Sequence, residues 1–286
     1  MYFLNPKVWN SPLLVILFTA SLFIVVFLRY FVLSAGYHFL TARIFRKSPR
    51  HFNRTSPAQW RKEVKWSIIS ATIFSILTAG CLWVYQQGYT KIYDNFQQYS
   101  IGYFIFSIAL MLIGYETYYY WLHRWMHLPG IFRIVHKVHH DSIETSVFTS
   151  FSFHPLEAFL QFLFLPLFVI VIPVHYYALA VVLSLWTISA IVNHASVEIF
   201  PKKFHQHRIG RWLIGATHHD LHHKEFKNNF GLYFTFWDKW MNTESRNFES
   251  RFDANTGMTS ERECVCDASS HTSEDRLHNS GHSEIS

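Results

Sequence analysis

Eight of the nineteen histidines in this chain fall into three clusters of one type. They read His123-Arg-Trp-Met-His127, His136-Lys-Val-His139-His140 and His219-Asp-Leu-His222-His223. On a helix, residues three and four apart share a face, with Cβ atoms about 5–6 Å apart. Each cluster is therefore expected to aim two or three imidazoles at one point. Neutral imidazole is a common metal ligand, and it suits iron, zinc, copper and nickel. One tetrahedral ion takes four ligands, so eight matching histidines point to a two-metal centre. A single His-x-x-x-His pair is often just a solvated or packed histidine pair; three clusters of matching form are not. Soluble di-iron bundles rely on bridging glutamates, whereas here carboxylates are sparse. A zinc hydrolase would need the general base of His-Glu-x-x-His, and none of the clusters contains it.

The elements that must position these clusters are apolar. Half of the 286 residues are hydrophobic and 19% are aromatic, gathered in runs close to the ~20 residues that cross a bilayer. Five segments stand out: Pro12 to Ser34, Trp66 to Tyr85, Ile101 to Leu122, Leu156 to Pro173 and Tyr176 to Asn193. The expected fold is all-α, a multi-pass transmembrane helical bundle of four to five spans, with a cytoplasmic helical cap that carries the histidine-rich di-metal site. The first segment is too long, and lacks the basic leader, for a cleaved signal peptide. Arg43, Arg46, Lys47, Arg50, Arg54, Arg61, Lys62 and Lys65 crowd the first inter-helix loop, opposed only by Glu63. Excess Lys and Arg mark a cytoplasmic loop, so the basic segment orients the chain; nucleic acid is not an expected partner. Counting spans from that loop brings all three clusters to the cytoplasmic side. The fourth and fifth segments form a hairpin that turns at Pro173-Val174-His175 on the far side. Clusters outside the spans argue against a histidine-rich metal transporter, whose sites lie near the midplane.

Three regions follow. Residues 1–100 are an N-terminal membrane region with two spans and the basic loop. Residues 101–243 carry the clusters and the membrane hairpin. Residues 244–286, rich in Ser, Thr, Glu, Asp and Asn, read as a disordered polar tail, and His271, His278 and His282 there lack cluster spacing. No dinucleotide or phosphate loop motif is present, so nicotinamide or flavin chemistry must come from a partner. Cys81, Cys264 and Cys266 form neither a disulfide framework nor a four-cysteine zinc pattern.

The text around the clusters resembles the integral-membrane sterol desaturase and fatty acid hydroxylase superfamily. The matching stretches are His123 to His127, His136 to His140, Phe153-His-Pro-Leu-Glu157, Asn193-His194, His219 to Gly231 and Phe234-Thr-Phe-Trp-Asp238-Lys. They cover about residues 100–243; the first two spans fit by hydropathy alone. The resemblance implies two iron ions held almost entirely by histidine, with dioxygen and two electrons used to attack an unactivated C–H bond of a lipid. It implies as metal ligands His123, His127, His136, His139, His140, His194, His219, His222 and His223. The electrons would come from an external NAD(P)H-linked carrier, a small electron-transfer protein with its reductase. The substrate would be a membrane lipid, of sterol or fatty-acyl type, hydroxylated or desaturated. An ether-lipid monooxygenase or carotenoid hydroxylase would share the scaffold. The membrane would be endoplasmic reticulum or a bacterial inner membrane.

Other residues need placing. His218 could compete with His219, but the His219–His222–His223 spacing matches the second cluster. His154 is a motif residue whose role as ligand or outer partner is open. Metal-bound histidines usually donate their second N–H to a carboxylate or carbonyl. Glu116, Glu157, Asp141, Asp220 and Asp238 are the acids that could accept it, and Asn193 adjoins His194. His38, His51, His175, His205 and His207 are expected to lie outside the centre.

Overall fold

The structure, a computed structural model, describes residues 6–45, 48, 50 and 55–257. Arg46, Lys47, His51, Arg54, Cys264, Cys266 and the three tail histidines lie outside the described residues. Among the described residues there are eleven α-helices and one two-stranded sheet. Four helices are long and apolar enough to cross a membrane: α1 (Pro12–Phe45), α2 (Pro57–Gln86), α3 (Ile101–Met126) and α8 (Tyr176–His194). Four of the five apolar segments read from hydropathy are thus continuous helices, and α1 and α2 are longer than expected at their polar ends. Propagation costs a helix little once it is nucleated, so α1 runs on past Ser34 to Phe45 and α2 begins at Pro57. Ser56 starts α2, its hydroxyl accepting the Gln59 N–H, with Pro57 in the first turn where its missing N–H costs nothing.

The fourth apolar segment breaks into α6 (Pro155–Phe162) and α7 (Phe164–Val171). Together they reach only about 25 Å at 1.5 Å per residue, less than the ~30 Å hydrocarbon core. At the far end, β1 (Ile92–Tyr93) pairs in parallel with β2 (Val174–His175), tying the loop after α2 to the hairpin turn. At the near end, short helices α4 (Ile131–Val135), α5 (Lys137–His140), α9 (Ala216–Glu225) and α10 (Phe236–Trp240) gather over the ends of α3 and α8. The start of α2 lies at that same end, because Lys62 pairs with Asp141 at 2.9 Å, beside the second cluster.

Ordered structure also continues past residue 244. Helix α11 (Phe248–Thr256) packs against α9, with Phe252 2% exposed. Phe248 and Phe252, four apart, give this polar segment one apolar stripe, enough to dock it on the third cluster's helix.

Candidate metal centre

Each cluster sits at an element end. His123 occupies the last turn of α3 and His127 its C-cap. Pro129 and Gly130 stop the helix, Gly130 at φ +89°, and the chain folds back through α4 into α5 with His136, His139 and His140. His194 is the last residue of α8, and α9 carries His219, His222 and His223.

All nine converge, in two groups. His123, His127, His136, His140 and His222 form one; His139, His194, His219 and His223 form the other. Within each, one ligand nitrogen per residue lies within 4.8 Å of all the others. The expectation that each cluster aims at one point holds only for the first. Successive helical residues diverge by about 100°, so neighbours His139 and His140 serve different groups. On α9, His219 and His223 share a face four apart, while His222 turns to the other group.

The donor set is that of a cation site. His123 Nε2 lies 3.1 Å from His136 Nε2, and His140 Nε2 3.0 Å from His222 Nε2. In the second group His194 Nε2 lies 3.2 Å from His139 Nε2 and 2.9 Å from His219 Nε2, which lies 3.2 Å from His223 Nε2. Two nitrogens bound at about 2.1 Å and at right angles to one ion would be ~3.0 Å apart. The other ring atoms fix the tautomers. His123 Nδ1 donates to the Phe230 carbonyl at 2.8 Å, His136 Nδ1 to Glu157 Oε1 at 2.8 Å, His222 Nδ1 to the Asn228 carbonyl at 2.7 Å and His194 Nδ1 to the Ala190 carbonyl at 2.7 Å. A neutral ring that donates from Nδ1 has only a lone pair at Nε2. His123 and His136 therefore oppose two lone pairs at 3.1 Å, which repel unless a cation lies between them.

The rings are held neutral, the form in which imidazole can take a metal. Burial first, then the neighbouring rings, pulls His136, His139, His140, His219 and His223 well below the usual histidine range. His222 falls to about 3, chiefly through burial, although the Asn228 carbonyl works the other way.

Beyond the rings, the expected carboxylates divide. Glu157 takes the His136 N–H and is anchored in turn by Gln161 at 3.1 Å. Asp238 accepts the backbone N–H groups of Phe230 and Gly231, both at 2.9 Å, and the Thr243 hydroxyl at 2.8 Å. Glu116 accepts the N–H groups of Leu232 and Tyr233 at 3.0 and 2.8 Å, and Asn193 donates to the Leu232 carbonyl at 2.7 Å. These three thus hold the 230–233 strip, not a histidine. Gly231 is required there, since a Cβ would meet the Phe234 carbonyl oxygen at 2.7 Å and Glu116 Oε1 at 2.9 Å. Asp141 and Asp220 instead pair with lysines, Asp141 with Lys62 and Lys137, Asp220 with Lys224.

His154 and His218 join neither group. His154 caps α6, its Nδ1 accepting the Leu156 N–H at 3.3 Å. His218 is buried on α9, edge-on to Phe248, with Nε2 3.8 Å from a Glu244 carboxylate oxygen. His175 is buried at the far end, stacked on Phe96 at 3.9 Å and capping α8 through the Tyr177 N–H. His38 faces Trp60, His205 packs on Phe252, and His207 accepts the Ile209 N–H. Replacing His175 with Ala will accordingly leave the metal-to-protein ratio at the wild-type value. Loss of metal from that variant, with helix content retained, would contradict the placement of the two ends.

One positioning acid escaped the sequence reading. Glu198, fully buried, accepts the Thr217 N–H in the first turn of α9 at 2.9 Å and the Phe200 N–H at 3.1 Å. A carboxylate at a helix N-terminus satisfies free donors and opposes the positive end of the dipole. The only signal was an acid four residues beyond His194, which sequence alone cannot bring to α9.

A family model described as fatty acid hydroxylase matches residues 108–243. Lathosterol oxidase of Homo sapiens is 30% identical over 217 residues, 74% of this chain and 69% of that protein. A Delta(7)-sterol 5(6)-desaturase of Gibberella zeae is 29% identical over 215 residues, 73% and 63% of the two chains. That of Candida albicans is 26% identical over 249 residues, 82% and 59%. No solved structure matches the chain. Fold and site define a helical, multi-pass membrane protein with two groups of histidines able to hold metal, and the relatives make it an oxidoreductase. The chain belongs to the sterol desaturase and fatty acid hydroxylase superfamily.

Proposed function

We propose that this protein is a di-iron sterol desaturase, acting on a sterol ring at the cytoplasmic face of its membrane. The observation that carries the metal part is the pair of histidine groups whose Nε2 lone pairs face one another at about 3 Å. The substrate follows from the relatives, which are named for oxidising lathosterol and desaturating Delta(7)-sterols. Lys62, in the first turns of α2, lies at the histidine end through its pair with Asp141, and Lys and Arg mark the cytoplasmic side.

Two iron ions held by the nine histidines would supply the capacity to reduce dioxygen and to remove two hydrogens from adjacent carbons. The balance is one sterol, one O2, two electrons and two protons, giving one alkene and two waters. The electrons come from an external NAD(P)H-linked carrier. The histidines bind, and the carbonyls of Phe230, Asn228 and Ala190 with the Glu157 carboxylate fix which ring nitrogen faces inward. On the membrane side, Tyr119 lies 5.1 Å from His123, followed by Tyr115 stacked on Trp186 at 3.9 Å and edge-on to Phe164. This packed aromatic cluster keeps water from the membrane side of the histidines.

The test compares sterol extracts, by mass spectrometry, from cells expressing wild type and His140→Ala. A wild-type-only product lighter by two hydrogens supports desaturation. A product heavier by one oxygen replaces it with hydroxylation. An unchanged sterol pool, from cells whose wild-type protein carries iron, overturns the sterol reading.

A further inference from the structure

Helix α2 holds one acid, Glu63. The sequence places it in a basic, solvated loop; the structure buries it to 1% exposure. Its carboxylate collects four donors. Oε1 accepts from Ser142 Oγ at 2.7 Å, Gln59 Nε2 at 2.8 Å and Thr149 Oγ1 at 2.9 Å; Oε2 accepts from Ser146 Oγ at 2.5 Å. Three of those donors belong to a single segment, residues 142–149, which leaves the second histidine cluster directly.

Apart from the exposed Ile143 and Glu144, that segment is buried against α1 and α2. Buried backbone needs protein partners at every polar group. Tyr30 of α1 donates to the Phe148 carbonyl at 3.0 Å, and Ser70 of α2 bonds Phe153. Glu63 differs from these clamps in its place. Ser142 is two residues past His140, and its N–H closes on the His139 carbonyl at 3.3 Å. His139 and His140 belong to different metal groups. Whatever fixes the end of α5 therefore fixes one ligand of each.

We propose that Glu63 is a positioning residue for both metal groups, holding His139 and His140 in place through the hydroxyls of Ser142, Ser146 and Thr149. The inference rests on the reading of the two groups as metal sites. It also moves the start of the metal-bearing unit back into α2, upstream of the stretch at 108–243 that matches the family. One carboxylate can accept four donors; glutamine keeps one acceptor oxygen of the two, and methionine, of similar length, offers only a weak sulfur acceptor.

The experiment titrates Co²⁺ into the full chain, purified in detergent and stripped of metal, and follows the cobalt absorption bands. Changes in outer contacts of this kind typically cost 10–100-fold in metal affinity. The expected result is a loss in that range for Glu63→Met at both sites, a smaller one for Glu63→Gln, and altered bands in the protein that does load. Helix content and gel-filtration profile stay as in wild type. A merely structural role would lower thermal stability and leave the affinity and bands of the folded protein unchanged; that result overturns the proposal. Should Glu63→Met fail to fold, Ser142→Ala and Ser146→Ala each remove one donor, and each should weaken Co²⁺ binding several-fold. Wild-type affinity in both folded serine variants overturns it equally. A wild-type protein that takes up no Co²⁺ would instead remove the metal reading and the proposal with it.

Discussion

Lowered from pH 7.5 towards pH 5, the detergent-solubilised protein will release its metal and unfold in one steep transition. In the unfolded chain each histidine titrates near its ordinary value of about 6.5. In the folded chain burial and ring–ring repulsion depress His136, His139, His140, His219 and His223 far below that, and His222 to about 3. Below pH 6.5 the unfolded state therefore binds more protons than the folded state, so stability falls as pH falls. It is intact above 6.5 and drains away through the window down to the folded values. Each such ring contributes about 1.4 kcal/mol per pH unit once the solution is below 6.5. Six rings acting together give roughly 8 kcal/mol per unit, against a total stability of about 5–15 kcal/mol for a typical domain. The metal-free protein should therefore fail within about two units. Bound metal must be displaced by protons before the rings can charge, so excess metal moves the midpoint to lower pH. Tryptophan fluorescence and released metal, followed with and without chelator, measure both effects. A chelated protein that stays folded to pH 5 would mean that the rings reach water and the groups are not buried.

The two-group arrangement marks where sequence reading succeeds and where it stops. Three- and four-residue spacing reveals which histidines share a helix face, because that depends on local geometry alone. It cannot reveal that His140 crosses to His222, or that His139 crosses to His194, 55 residues away. Such pairings depend on how α5, α8 and α9 pack. Hydropathy likewise found the spans but misjudged Glu63, since a lone acid among lysines and arginines looks solvated until Ser142, Ser146 and Thr149 are folded around it. Composition also hid α11, where two phenylalanines in a polar segment suffice for docking. The carbonyls that set the tautomers, from Phe230, Asn228 and Ala190, carry no side-chain signal at all. Asp238 and Glu157 were visible as family text, yet their work differs: Glu157 touches a ring, whereas Asp238 touches only backbone and a hydroxyl.

That difference sets up the second large effect, in which Asp238→Ala empties one metal group and spares the other. Alanine leaves the Phe230 and Gly231 N–H groups and the Thr243 hydroxyl without their acceptor in a site where Asp238 is fully buried. The two orphaned N–H groups cost about 1–3 kcal/mol each, while Thr243 keeps Tyr120 as a partner, so the strip loses roughly 2–6 kcal/mol of restraint if nothing replaces the carboxylate. Glu116 still grips Leu232 and Tyr233, so the strip loosens towards its start. That start and the two residues before it supply both of the backbone carbonyls that orient group-one rings, Phe230 for His123 and Asn228 for His222. The corresponding carbonyl in the second group, Ala190, lies within α8 and is untouched. The metal-to-protein ratio of purified Asp238→Ala should therefore fall from near two towards one, with turnover of substrate lost. Asp238→Asn, which keeps one acceptor oxygen, should retain more of the second ion. Adding Glu116→Ala to Asp238→Ala should cost less than the sum of the two single changes, because both acids restrain the same strip. Equal loss of both ions in Asp238→Ala, or no loss of either, would show that the Phe230 and Asn228 carbonyls do not govern the first group.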